Sequence, residues 1–196
     1  AEPDTGNDAD KSEKINSNVL SIILTGETML SRNVEWLALR RDDFDYPFSN
    51  LSGLLKTADI VFKNLESPLA AGENIKSGLE FRADPKFASA LKRGGFTVVS
   101  LANNHILDKG AAGLAETVLN LKKSGILYSG ADSRSLSDKE VIIKDGDCRV
   151  GFLSFTDCLN SLRKSDYARE KIIDYHDTDR ITKAVMNLRI KADIVI

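Results

Sequence analysis

Phe96-Thr97-Val98-Val99-Ser100-Leu101-Ala102-Asn103-Asn104-His105-Ile106-Leu107-Asp108-Lys109-Gly110 is the stretch whose reading decides the fold. Its first part, Phe96 to Ser100, is short, apolar and β-branched, the pattern of a strand buried in a sheet. Its second part delivers two carboxamides, an imidazole and a carboxylate directly after that strand. Ala112 to Lys123 then reads as a helix, with Leu114, Val118 and Leu121 on one face and Gly125 as its stop. Strand, polar loop and helix in that order make the unit of an open α/β sheet, in which ligands bind beyond the carboxyl ends of the strands. Helix capping is the competing reading of these Asn and Asp residues.

The same unit recurs upstream. Val19 to Thr25 is a continuous aliphatic and β-branched run, predicted as a strand buried on both faces and broken by Gly26, with Glu27 and Thr28 beyond it. Asn33 to Arg41 has helical character around Trp36 and Leu39, with Trp36 expected in the core, and Asp42 to Pro47 is rich in turn residues. Leu51 to Lys56 predicts a short helix, Ile60-Val61-Phe62 a second buried strand, and Pro68 ends the loop Lys63-Asn64-Leu65-Glu66-Ser67. Phe87, Ala90 and Leu91 share the face of a helix closed by Gly94-Gly95.

Downstream, Ile126 to Tyr128 predicts a fourth short strand. Val141 to Lys144 and Arg149 to Phe155 flank Asp145-Gly146-Asp147-Cys148, a hairpin by its turn chemistry. Asp177 to Arg189 predicts a helix with Ile181, Ala184, Val185 and Leu188 on one face, and Ala192 to Ile196 a strand entering a sheet. The chain ends inside that strand, so further sequence is expected beyond Ile196. Ala58-Asp59-Ile60-Val61 and Ala192-Asp193-Ile194-Val195 form a faint internal echo, each at a helix-to-strand junction. Together these elements predict an α/β fold with a mostly parallel sheet and an antiparallel addition.

Composition narrows the class. At 196 residues and 42% hydrophobic, the chain is of single-domain size and can fill a core. A formal net charge of −2 argues against a nucleic-acid partner held by phosphate contacts. No run approaches the roughly eighteen apolar residues that a membrane span needs. Residues 1–17 are polar and acidic, the composition of a disordered tail or linker, and 18–196 read as the folded domain. The tail starts with Ala1 and is what would follow a removed signal or an upstream anchor. Cys148 and Cys158 flank extended chain that would hold them about 30 Å apart, against a disulfide reach of about 7 Å. Both are expected as free thiols.

Three strand-end loops carry chemistry: Gly26-Glu27, Asn64-Leu65-Glu66, and Asn103-Asn104-His105 with Asp108. If their strands are neighbours in a parallel sheet, these loops meet at one edge. Close carboxylates repel unless a proton or cation lies between them, and an oxygen-rich site with an imidazole suits Mn, Mg, Zn or Fe. Such a metal could polarise a phosphoryl or carbonyl oxygen while His105 protonates a leaving group. His176, in Asp174-Tyr175-His176-Asp177, reads as a helix-capping or surface turn.

The ordered set Gly26-Glu27-Thr28-Met29-Leu30-Ser31-Arg32, Tyr46-Pro47-Phe48, Asn64-Leu65-Glu66-Ser67-Pro68, Phe81-Arg82-Ala83 and Ala102-Asn103-Asn104-His105 through Gly110 resembles the CapA family. These are capsule or poly-γ-glutamate synthesis proteins, similar to calcineurin-like metallophosphoesterases, and the resemblance runs from about Val19 to Ile196. It implies a four-layer α/β/β/α sandwich with a metal centre between strand-end loops. It also implies Glu27, Glu66 and Asn104 as metal ligands, His105 as the acid and Asp108 as the carboxylate that orients it. Arg32, Asn64 and Asn103 would face the substrate. Two departures stand out: Gly26-Glu27 replaces the usual Gly-Asp, and a later His-Trp-Gly segment and a further His loop of the family are not present in these residues.

The resemblance further implies an extracytoplasmic protein, anchored upstream or free at the cell surface, acting on an anionic polymer or beside its synthase and export subunits. Whether it is a metal-dependent hydrolase or transferase stays open at this point. A non-catalytic scaffold subunit and a general metallophosphoesterase are the alternatives.

Overall fold

The computed structural model describes residues 19–73, 78–131, 140–156, 160 and 178–196. The tail read at 1–17, together with Cys158 and His176, lies outside the described residues. Seven strands and five helices are described. They run β1 Ile22–Thr28, α1 Asn33–Arg41, α2 Ser52–Leu55, β2 Ile60–Leu65, α3 Phe87–Gly94 and β3 Val98–Ser100, followed by α4 Gly110–Lys123 and β4 Leu127–Ser129. The second half holds β5 Val141–Asp145, β6 Cys148–Phe152, α5 Thr178–Lys191 and β7 Ile194–Val195.

β1 to β4 form a parallel sheet in sequence order, with β2, β3 and β4 each following a helical crossover. β5 and β6 make the expected antiparallel hairpin, and β7 joins β6 in parallel to complete a second sheet. Three apolar clusters define the layers. Helices α1 to α4 cover one face of the first sheet, through residues such as Ala38, Leu55, Phe87, Leu91, Leu114, Val118 and Leu121. The two sheets pack on each other through Ile60, Val98, Val150 and Phe152, with Phe62 and Phe152 stacked at 5.5 Å between ring centroids. Ala184 and Leu188 of α5, with Ala192 and Leu153, close the far side. The order is α/β/β/α, the four-layer sandwich that the family resemblance implied.

Period-two alternation sorts β2 between these layers. Ile60 and Phe62 face the second sheet, while Val61 and Leu65 face the helices. Lys63 shares that helix-side face, and its Nζ lies 4.1 Å from the Phe96 ring centroid and 5.3 Å from that of Phe48.

Two glycines allow the layers to approach. A Cβ on Gly130, whose φ is +87°, would sit 2.6 Å from the Ala102 Cβ and 2.8 Å from the Ser154 Cβ. The loop after β3 and the chain after β6 therefore meet at the end of β4. A Cβ on Gly151 in β6 would meet Leu188 of α5 at 2.6 Å, so its absence sets the helix-to-sheet distance.

Two sequence expectations fail here. β1 is not buried on both faces: it lies at the sheet's edge, Leu24 is 56% exposed, and Gly26 does not end the strand. Pairing with β2 resumes past an irregularity between Leu24 and Glu27, so Glu27 pairs with Asn64 and Thr28 with Leu65. An apolar run reports burial only when strands lie on both sides, and one side of β1 carries none among the described residues. Trp36 is not core either: it is 43% exposed on α1, with the Arg40 guanidinium 5.1 Å above its ring.

Candidate active site at the ends of strands β1 to β3

The parallel order β1-β2-β3 brings the three polar loops to one edge of the sheet. Hydrogen bonds then tie them crosswise. Asn103 donates its side-chain amide to Asn64 Oδ1 at 3.1 Å and to the Leu65 carbonyl at 2.9 Å, and its own Oδ1 accepts the His105 N–H at 3.0 Å. Asn64 in turn donates toward Glu27 Oε1 at 3.5 Å. Asn103 is buried and both its amide hydrogens are committed, so it acts first as the bracket between the second and third loops.

His105 is the centre of the arrangement. Its Nδ1 lies 2.7 Å from Asp108 Oδ2, and its Nε2 lies 3.7 Å from Glu66 Oε1. Asp108 also accepts the Phe81 N–H at 2.7 Å. The Phe81 ring lies on the imidazole, with centroids 4.0 Å apart and planes 29° apart. The ring is thus fixed in direction by Asp108 and in plane by Phe81. With Nδ1 held by the carboxylate, Nε2 is the nitrogen left to exchange a proton on the Glu66 side.

Burial and neighbouring charge shape the two carboxylates. Burial pushes the Asp108 carboxyl above its ordinary range, opposed by the hydrogen bonds from His105 and the Phe81 N–H. Glu66 is raised as well, first by burial and then by the Glu27 charge, with His105 opposing and Asp108 adding to the rise. Asn104 is half-buried, and its backbone carbonyl accepts the Asn160 N–H at 3.1 Å. Arg32 stands at the outer wall, its guanidinium 4.7 Å above the Phe81 ring and donating to the Gly78 carbonyl. Its backbone has φ 58° and ψ −124°, a conformation that L residues rarely adopt.

Every sequence-predicted site residue thus falls at this edge. Glu27, Asn64, Glu66, Asn103, His105 and Asp108 are linked by the contacts above, Asn104 joins through its backbone, and Arg32 joins through Phe81. In kind, two carboxylates and a carboxamide oxygen fit a hard divalent cation. The Glu27–Glu66 repulsion is the charge excess such an ion relieves. In number the set is short, since among the described residues no group of three or more His, Cys, Asp and Glu side chains is disposed to hold a metal ion.

Two functional neighbours escape a reading of the strand-end motifs alone. Phe81 supplies both a ring and an N–H to the His105–Asp108 pair. Its segment is anchored by Arg82, which is buried, donates to the Ala70 carbonyl at 3.0 Å and forms an ion pair with the buried Glu35 of α1. Asn160 places its amide nitrogen 3.3 Å from both ring nitrogens of His105. The signal for Asn160 was its place after β6, at the carboxyl end of a strand in the second sheet.

A profile of the family described as "Bacterial capsule synthesis protein PGA_cap" matches residues 21–196. The chain belongs to that family. The Bacillus anthracis protein named "Capsule biosynthesis protein CapA" is 31% identical over 144 residues, covering 70% of this chain and 35% of its own length. The Bacillus subtilis "PGA biosynthesis protein CapA" is 29% identical over 153 residues, covering 75% of this chain and 40% of its own. The chain therefore spans well under half the length of these curated relatives. Among solved structures, the Haemophilus influenzae NAD nucleotidase superposes with a TM-score of 0.52 over 90% of this chain and 33% of that one. Its sequence identity of 15% makes this a likeness of fold alone. Among the described residues no helix is long and apolar enough to cross a membrane.

Proposed function

We propose that this chain forms one wall of a metal-dependent phosphoesterase-like site in a capsule biosynthesis protein. The protein would act outside the cytoplasmic membrane on an anionic polymer, with poly-γ-glutamate the candidate that the relatives' names suggest. The observation that carries the reading is the convergence of Glu27, Glu66 and the Asn104-His105-Asp108 loop at the ends of three adjacent parallel strands. Glu27, Glu66 and Asn104 would hold a divalent cation, drawn from Mn, Mg, Zn and Fe, that supplies charge stabilisation to a phosphoryl or carbonyl oxygen. His105 would donate a proton from Nε2 to the leaving group, and Asp108 orients the ring through its contact with Nδ1. Phe81 keeps the imidazole in plane through its ring. Arg32, Asn64 and Asn103 stand toward the substrate, Asn103 acting chiefly by fixing Asn64 and His105. The partners would be the polymer itself or its synthase and export subunits, with any membrane anchor lying upstream.

The test is hydrolysis of an aryl phosphate, and cleavage or transfer of poly-γ-glutamate, by the full-length protein with and without Mn. Metal-dependent turnover that is lost in His105→Ala supports the proposal. Metal-independent behaviour unchanged by that substitution refutes it.

A second reading, a non-catalytic scaffold subunit of a polymer synthase, is favoured by one feature. Glu27 stands where the family resemblance expects Asp, and its carboxylate reaches Asn64 only at 3.5 Å. Glu27→Asp separates the readings: a catalytic protein changes its turnover several-fold, a scaffold keeps its function in polymer assembly.

A further inference from the structure

Away from the strand-end loops, the molecule holds a buried cation that the proposed site does not use. Lys63 is 1% exposed, on the helix-side face of β2 between the Phe48 and Phe96 rings. Among the described residues it has no carboxylate partner, and its contacts are the two ring faces. Cation–π attraction offsets only part of the cost of burying an ammonium group. Burial alone lowers the Lys63 pKa to about 7.

Lys63 also borders a cleft of about 330 Å³ between the exposed edge of β1 and the helical layer. The wall is apolar over most of its extent, built from Val34, Pro47, Phe48, Leu51, Leu55 and Phe96. Glu27 is the one carboxylate in the lining, at the end of β1. Its carboxylate is turned to Asn64, which alternates with Lys63 and so projects from the other face of β2. The cleft therefore has an apolar body and a single cationic group without a counter-charge.

We propose that this cleft is a binding site for a small apolar monocarboxylate, with the ligand's carboxylate against Lys63 and its hydrocarbon portion along Leu51, Leu55 and Phe96. The volume is at the lower end for a ligand pocket. At roughly 30 Å³ for each water-sized group it takes about ten non-hydrogen atoms, the size of a medium-chain carboxylic acid. A carboxylate is the group that complements the site, because it restores the charge pairing Lys63 lacks, whereas a neutral apolar guest would leave the amine as it is.

Octanoate is the probe, titrated into the full-length protein by calorimetry at pH 6, where Lys63 carries its proton, with octanamide as the neutral isostere. The expected result is saturable octanoate binding, with octanamide at least about tenfold weaker, a gap of about 1.4 kcal/mol. Lys63→Met, which keeps the shape and removes the charge, should weaken octanoate by a similar factor. Leu51→Trp, at a rim position 51% exposed, should block the cleft without disturbing the core. Octanoate binding that neither substitution changes would overturn the proposal. So would a titration that shows no octanoate binding.

Discussion

Lys63 and Glu66 stand three positions apart along β2 and its exit, and burial raises a different problem at each. Lys63 sits inside the apolar layer with two rings as its neighbours, and burial alone lowers its proton affinity. Glu66 sits where three loops meet, and its affinity is raised by burial together with the charges of Glu27 and Asp108, against the pull of His105. One group is isolated and its charge is unsupported. The other belongs to a set of polar groups that hold one another in place. The same strand thus carries an ionisable side chain in the core and another at a chemically organised edge. In the unliganded protein the isolated Lys63 is a cost to stability, whereas the coupled set at Glu66 is already organised.

The sharpest way to break this contrast is to remove the centre of the coupled set. His105→Ala should lower metal-dependent phosphoester turnover by at least about a hundredfold, the usual share of a general acid, together with some loss of thermal stability as Asp108 and Phe81 lose their buried partner. Next, Asp108→Asn should keep the imidazole near its place but lose the carboxylate partner on Nδ1. Turnover should then fall by about ten- to a hundredfold, with KM little changed.

At the isolated group the effect is on stability and has the opposite sign. Lys63 is neutral in the native state above about pH 7, whereas in the unfolded chain it holds its proton up to the ordinary lysine value of 10.5. Between those values the unfolded state binds more protons, so the native state gains stability as pH rises through that window. The full penalty of burying the charge is present below pH 7. Lys63→Met should therefore raise Tm by about 2 °C or more at pH 6, and the gain should shrink toward pH 10. A loss of stability on this substitution would show that the ring contacts outweigh the desolvation of the ammonium. The smallest effect is expected at the edge strand: Leu24→Thr, at an exposed position, should leave both Tm and turnover nearly unchanged.

Much of this architecture was legible in the sequence because it rests on local pattern. The buried strands announced themselves as short aliphatic runs, and the helix faces of Phe87-Ala90-Leu91 and Leu114-Val118-Leu121 are buried as the spacing required. Even the echo of Ala58-Asp59 and Ala192-Asp193 has a physical meaning. Asp59 accepts the Ser21 N–H at 2.9 Å while its own N–H donates to the Ser21 carbonyl at 3.1 Å. Asp193 treats Arg149 in the same way, at 2.8 Å in both directions. Each aspartate locks the start of its strand to the parallel neighbour, one in each sheet.

What escaped the sequence depends on non-local partners. The edge position of β1 left Leu24 exposed despite its apolar run, and Trp36 lies under Arg40 on the outer face of α1. Lys63 looked like the polar exit from a strand ending at Phe62, and only the meeting of Phe48 and Phe96 above it makes it buried. Phe81 and Asn160 reach His105 from loops remote in sequence, by a ring face and an amide that no strand-end motif encodes. The acidic and imidazole members of the site were legible because the strand-end rule places them. The groups that fix the imidazole in plane were not, because packing of separate segments places them.

The most direct test of the central claim is a calorimetric titration of the full-length protein with Mn, comparing the parent with Glu66→Gln. If the loops of β1, β2 and β3 form one cation-dependent site, the parent binds Mn and the neutral variant binds it at least about tenfold more weakly, a loss of about 1.4 kcal/mol. Equal affinity in the two proteins, or no binding in either, would contradict it.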